Sequence, residues 1–188
     1  MPKCKNCKAP YTRRFPNQIV CSKPCEFEYK KIKSKQAKVR PLTTPKWEGK
    51  LQIKINTLIR TIDKGQKCMS SDKFTTTPNA GHYWPVSANH NLRFHLFNIW
   101  LQSAQENKFA EHQPAYISQI KKMYGNDAAL WLIDLRKTIG YTKWTIPELE
   151  DAYSICLKLI KEAESQPVLN AAGRWEARHH YQEQLGLY

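Results

Sequence analysis

His82, Asn98 and Asn107 are the residues of this chain whose types and spacing could do chemistry. That chemistry would be hydrolysis of a phosphodiester. The reaction needs an activated water, neutralised charge on the phosphoryl oxygens and a stabilised leaving 3′-oxygen. An imidazole titrates near working pH, so His82 could deprotonate the water. A divalent metal, Mg²⁺ or Mn²⁺, would serve the other two needs as a Lewis acid. Asn98 could accept a hydrogen bond from the imidazole or the backbone and set the tautomer. The amide oxygen of Asn107 could bind the metal directly or through water. The bland alternative is a histidine on a hairpin that only packs or faces solvent, beside asparagines that cap or solvate.

Positioning these groups requires particular elements. Residues 78–96 read as a β-hairpin, with Asn89-His90-Asn91 near the turn. His82 ends the first strand, and Leu92-Arg93-Phe94 lie in the second. A helix is expected from about Asn98 to about Phe109. This is the order of parts of a ββα-metal, HNH-type, nuclease site. Nine residues at 100° each put Asn107 about 180° round a helix from Asn98. The two converge only if Asn98 precedes the helix proper.

Charge and cysteines point to a second, smaller module. The 188 residues carry a net charge of +14. Residues 1–50 hold 14 Lys/Arg against 3 Asp/Glu, a net of +11, whereas the other 138 hold 16 against 13, a net of +3. So uneven a block suits a polyanion such as DNA, and a phosphate grip implies steep salt dependence of affinity. Cys4-x2-Cys7 and Cys21-x3-Cys25 are separated by thirteen residues, Lys8 to Val20. Each pair can offer two thiolates to one tetrahedral Zn²⁺. A segment this short cannot fold on apolar burial alone, so the metal would supply its folding energy.

Residues 26–40 are good helix formers with little apolar face, and read as a basic arm stopped by Pro41 and Pro45. Lys30, Lys31, Lys33, Lys35, Lys38 and Arg40 on that arm, with Arg93 on the hairpin, are the candidate DNA contacts. Leu51, Ile55, Leu58, Ile59 and Ile62 recur at helical spacing over residues 47–63 and predict a core-facing helix. Further helices are expected over Pro114–Met123, Ala128–Leu135 and from Thr145 or Ile146 onward, with Cys156 a buried apolar residue. The tail Asn170–Tyr188 has helical composition and no assigned role. No apolar run approaches the roughly 18 residues of a membrane span. The start Met-Pro-Lys-Cys-Lys lacks the apolar core of a signal peptide, so a cytoplasmic location is expected.

Several short motifs, taken together, resemble the NinG (Rap) family of phage recombination endonucleases. They are Asn56, Ile59-Arg60 and Asp63; Cys68-Met69-Ser70; Ala80-Gly81-His82-Tyr83; Leu92-Arg93-Phe94; Asn98-Ile99 with Gln102; Asn107; Tyr116; Gly125; and Trp144-Thr145-Ile146. The resemblance covers most of the chain in the same order. It implies a structure-specific endonuclease acting on branched DNA such as Holliday junctions and D-loops in a phage-infected bacterial cell. The resemblance implies that family members usually carry a second zinc site of two Cys-x2-Cys pairs flanking the hairpin. Here those positions are Cys68 with Ser71 and Ser103 with Glu106, so no zinc is expected there. Packing by Trp84, Phe94, Phe97 and Trp100 is expected to hold the hairpin instead. Gly81 stands where many HNH enzymes place a metal-binding Asp or His, and His90, His95 or His112 could complete the ligand set.

The resulting expectation is an α+β chain with four parts: a zinc-binding module (1–25), a basic helix and linker (26–46), a mainly helical domain around an HNH-like hairpin-helix core (47–165), and a C-terminal tail (166–188). The leading function is a metal-dependent DNA endonuclease, with a homodimer left open. The competing class is a catalytically inactive zinc-containing DNA-binding protein on the same scaffold. A third reading is an HNH nuclease that cuts linear duplex.

Overall fold

The computed structural model describes residues 1–36, 42–108, 113–141 and 143–187. The chain forms two units, Met1–Pro41 and Leu42–Tyr188, and the described residues are mostly helical with one two-stranded sheet. Among the described residues, no helix is long and apolar enough to cross a membrane.

In the first unit the two cysteine pairs bracket a small core. Cys4, Tyr11 and Val20 are buried there, with Tyr29 of helix α1 (Lys23–Gln36) packed against them. Three buried residues are too few to fold a segment of this length, as expected if a metal completes it.

The second unit is built on two long helices, α2 (Thr44–Ile62) and α5 (Ile146–Ser165). Leu51, Ile55, Leu58, Ile59 and Ile62 form the buried stripe of α2. Leu149, Ala152, Cys156, Leu159, Ile160 and Ala163 form that of α5, and the two stripes share one core. Burying each such Leu or Ile contributes roughly 1.5–3 kcal/mol. Thr145 and Glu148 start α5 with reciprocal cap hydrogen bonds, which satisfy backbone donors that the first turn leaves unpaired.

The sheet differs from the expected hairpin. Strand β1 (Pro78–His82) pairs antiparallel with β2 (Ile99–Ser103), not with a strand inside 78–96. Register places Gly81 opposite Trp100 and His82 opposite Ile99. Residues 90–94 and 96–98 form short 3-10 turns in the connecting loop. The helix expected from Asn98 to Phe109 is therefore not formed. Residues 99–103 are strand, 106–108 make a 3-10 turn, and Phe109 lies outside the described residues. The cause is tertiary. Pairing with β1 satisfies the backbone of β2, and the Asp63 carboxylate accepts the Leu101 N–H at 3.0 Å.

A second core lies on the other side of the sheet. Tyr83, Leu92, Phe97 and Trp100 pack there against α3 (Gln113–Tyr124) and α4 (Asn126–Thr138). Phe94 is buried in the α2/α5 core instead, and Trp84 is only partly buried.

The tail folds as α6 (Ala171–Leu185), capped by Asn170 at its start and by left-handed Gly186 at its end. Its buried face carries Arg174, Arg178, Tyr181, Gln182 and Leu185. Arg178 is the centre of this contact. Its Nη2 lies 2.8 Å from Asp63 Oδ2, its Nε donates to the Leu96 carbonyl at 3.2 Å, and its guanidinium stacks 3.5 Å over the Trp100 ring. Gln182 Oε1 accepts the Leu96 N–H at 2.7 Å. Helix α6 thereby grips the segment that leads into β2.

Candidate functional site

The loop between the strands is closed by Asn98, whose side chain is fully buried. Asn98 Oδ1 accepts the Trp84 N–H at 2.8 Å, and its Nδ2 donates to the carbonyls of Trp84 at 2.9 Å and Leu92 at 3.1 Å. Both amide hydrogens are thus committed to backbone. Of the two donors expected for its oxygen, the backbone is the one found and the imidazole is not among its partners. Asn98 instead fixes the loop that presents the Arg93 carbonyl to His82.

His82 Nε2 lies 3.0 Å from that carbonyl oxygen. A carbonyl can only accept, so Nε2 carries the hydrogen and the neutral ring keeps its lone pair at Nδ1. Burial holds the His82 pKa below the ordinary histidine value. The Arg93 charge adds to the lowering, and the bond to the Arg93 carbonyl partly opposes it. His82 is therefore largely neutral at neutral pH. Helix α3 braces the strand end on both sides. The Tyr116 hydroxyl donates to the Gly81 carbonyl at 3.3 Å, and Gln113 Nε2 donates to the Tyr83 carbonyl at 2.8 Å.

A pocket of about 330 Å³ opens here, lined by His82 and by Gln102, Glu106, Asn107, Lys108 and Gln113 among others. Gly81 explains how these groups approach one another. A Cβ at residue 81 would come 1.4 Å from Gln102 Oε1 and 2.6 Å from Asn107 Oδ1. Only glycine leaves room for two amide oxygens over the strand beside His82. Gln102 is held by its Nε2, which donates to the Ser70 hydroxyl.

The structure therefore brings His82 and Asn107 to one pocket and leaves Asn98 behind the loop. Asn107 reaches the pocket from the 3-10 turn Glu106–Lys108, not from a helix. The 180° separation from Asn98 consequently does not arise. Gln102 and Glu106 were not among the candidates derived from sequence. Gln102 lies in β2, where the sequence predicts helix, and Glu106 stands at the position of a replaced cysteine.

The other candidates are placed as follows. Arg93 Nη1 pairs with Glu48 Oε2 at 3.2 Å. His90 pairs with Glu48 Oε1 at 3.2 Å and stacks on Trp144. His95 is buried beside Phe97 and Trp131, and its pKa is lowered to about 4 by burial and by His179. Neither His90 nor His95 lines the pocket. His112, Lys38 and Arg40 lie outside the described residues. Lys30, Lys31, Lys33 and Lys35 all fall on α1, with Lys30 bonded to Glu26 at 2.6 Å. Cys68, at the degenerate second cysteine site, is buried and its sulfur accepts the Ser103 N–H at 3.2 Å.

In the first unit the Sγ atoms of Cys4, Cys7, Cys21 and Cys25 lie within 4.8 Å of one another. Cys7 and Cys21 are 3.7 Å apart and Cys21 and Cys25 3.5 Å. Sulfurs at 2.3 Å from a tetrahedral Zn²⁺ sit about 3.8 Å apart, so the quartet could hold zinc. Burial alone would raise the Cys4 pKa. Hydrogen bonds from the backbone of Cys21, Cys7 and Asn6 outweigh it and hold the thiol at about 6, which favours the thiolate ligand. Blocking the thiols of the purified protein is expected to release one equivalent of zinc, read with a chromogenic chelator. Limited proteolysis should then cut within Met1–Pro41 while Leu42–Tyr188 still melts cooperatively. Release of two equivalents would place a second zinc elsewhere in the chain.

Comparison with curated proteins and with solved structures found no match. Residues 27–166 match the family described as Bacteriophage Lambda NinG protein. The match spans well over half of the chain and takes in α2, both strands and the whole pocket, so this chain belongs to the NinG family.

Proposed function

We propose that this NinG-family chain is a metal-dependent DNA endonuclease whose active site is the His82 pocket. The observation that carries the reading is the state of His82. It is an imidazole at a strand end, tethered through Nε2 and held neutral, with Nδ1 free of the tether and oxygen donors in the same pocket. The order strand, long loop, strand, helix supports an HNH-like arrangement.

The donor set fits a hard cation. Asn107 Oδ1 and Gln102 Oε1 crowd together over Gly81, and Glu106 lines the same pocket. Amide and carboxylate oxygens are the ligands that Mg²⁺ and Mn²⁺ take. When bound, such a metal would supply Lewis-acid stabilisation of the phosphoryl and leaving oxygens. The chain's own residues do the rest. His82 Nδ1 takes the proton of the attacking water. The Arg93 carbonyl holds the ring in its tautomer, and Asn98 holds the loop that carries that carbonyl. Lysines of α1 grip phosphates without reading sequence. Preference for branched DNA follows from the family resemblance.

Incubation of a labelled four-way junction and its matching linear duplex with Mg²⁺ or Mn²⁺ tests the proposal. Junction-selective cutting is expected. Equal cutting of both substrates would make this a general duplex nuclease. Binding without cutting under either metal would leave a DNA-binding protein on a nuclease scaffold.

A further inference from the structure

We infer that the cysteine-rich unit holds an unpaired base of a DNA strand in the groove between residues 15–20 and α1. This rests on the reading of the chain as a DNA-binding protein and adds a second mode of contact to its phosphate grip. The groove has a volume of about 470 Å³ and is lined by Phe15, Asn17, Ile19, Tyr29, Lys30 and Lys33, among others.

Phe15 and Ile19 of its lining lie outside the small core of the unit. Phe15 is 69% exposed and Ile19 41% exposed, on a unit that has only a few core residues to bury. The turn that carries Phe15 is nevertheless well fixed. Gln18 N–H donates to the Phe15 carbonyl at 3.1 Å, Arg14 N–H to Gln18 Oε1 at 2.7 Å, and Arg13 Nη1 to the Pro16 carbonyl at 3.3 Å. A pinned turn therefore holds a phenyl ring in solvent. Across the groove, Tyr29 packs against the small core of Cys4, Tyr11 and Val20. Lys33 Nζ lies 5.6 Å from the centre of its ring.

The surrounding charge selects the occupant. Residues 1–41 carry 12 Lys/Arg against 2 Asp/Glu. A ligand for this groove must offer a flat apolar face and negative charge together. A nucleobase on its phosphodiester strand does so. Bases in a duplex have both faces stacked on neighbours, so only an unpaired base can present one to Phe15 or Tyr29. Stacking of this kind tolerates any sequence, because every base has a π-face. Lys30 is tied to Glu26, which leaves Lys33 as the cation beside the aromatic ring.

The test uses the 188-residue protein loaded with zinc, and fluorescence anisotropy. The probes are a labelled oligothymidylate and a labelled duplex of equal length. Phe15→Ala is expected to weaken single-strand binding about tenfold, the loss of one stacked base. Duplex binding should change less than twofold, and Phe15→Trp should restore single-strand affinity. Phe15 is exposed, so these variants keep the fold, and an unchanged zinc content checks this. Equal losses on both probes, or no loss on either, would overturn the inference while leaving DNA binding intact. Competition by polyglutamate as effective as by oligothymidylate would reduce the groove to a charge site and also overturn it. Binding of neither probe by the unmodified protein would remove the DNA-binding reading itself. Failure to cut any DNA, with the Phe15 effect preserved, would leave the inference standing.

Discussion

Replacing His82 with alanine should slow phosphodiester cleavage by about 10²- to 10⁴-fold, the range supplied by a positioned general base. DNA affinity should change less than twofold, because His82 is not part of the basic arm. The fold should tolerate the change. The β1–β2 pairing is backbone, and the strand end stays braced by Tyr116 and Gln113 through the carbonyls of Gly81 and Tyr83. The pH profile of cleavage by the unmodified protein provides a second readout. In the proposed mechanism the working form of His82 is the neutral imidazole, and burial with the Arg93 charge lowers its pKa. The rate should therefore hold as pH falls through the ordinary histidine value of about 6.5 and decline only below it. Single-turnover kinetics with a junction substrate would measure both effects. A His82→Ala protein that cuts at the normal rate would mean that another group takes the proton.

The largest loss of stability should come from Arg178→Ala. Arg178 and Asp63 are both fully buried, and Nη2 lies 2.8 Å from Oδ2. Removing Arg178 leaves the buried carboxylate with only the longer Arg174 contact at 3.6 Å and the Leu101 N–H, and breaking such a buried pair costs about 3–5 kcal/mol. The same change removes the donor to the Leu96 carbonyl and uncovers the Trp100 ring. A loss of that size should lower the melting temperature of the second unit by about 10 °C. Asp63→Asn combined with Arg178→Met and Arg174→Met should cost much less than Arg178→Ala alone, because Arg174 also pairs with Asp63 and only removal of all three leaves no bare charge. Urea unfolding of the three proteins would measure this. An Arg178→Ala protein within 1 kcal/mol of the parent, by contrast with the roughly 3–5 kcal/mol expected, would show that the pair is well solvated when broken. Helix α6 lies outside residues 27–166, so this contact joins a segment beyond the family match to the strand that carries Gln102.

Parts of the site were legible from local sequence. The cysteine quartet shows in its spacing, because each pair needs only a few residues to form a knuckle. The stripe Leu51, Ile55, Leu58, Ile59 and Ile62 shows in its period, and all five are buried. His82 stood out by its residue type at a strand end. The glycine before it looked like a missing ligand and is instead what lets Gln102 and Asn107 approach.

The second strand and the last helix were decided elsewhere. Ile99-Trp100-Leu101-Gln102 is buried on both faces and so carries no alternation to distinguish strand from helix. Its state depends on β1 and on the Asp63 carboxylate, 38 residues away from Leu101. The face that α6 buries is largely polar, with two arginines and a glutamine, which by periodicity alone reads as a solvated tail. Its partner Asp63 lies 115 residues away from Arg178. Metal-ligand spacing and helical periodicity act over a few residues and could be read from the chain itself. Strand pairing and a buried ion pair join distant residues, and only the folded structure brings those together.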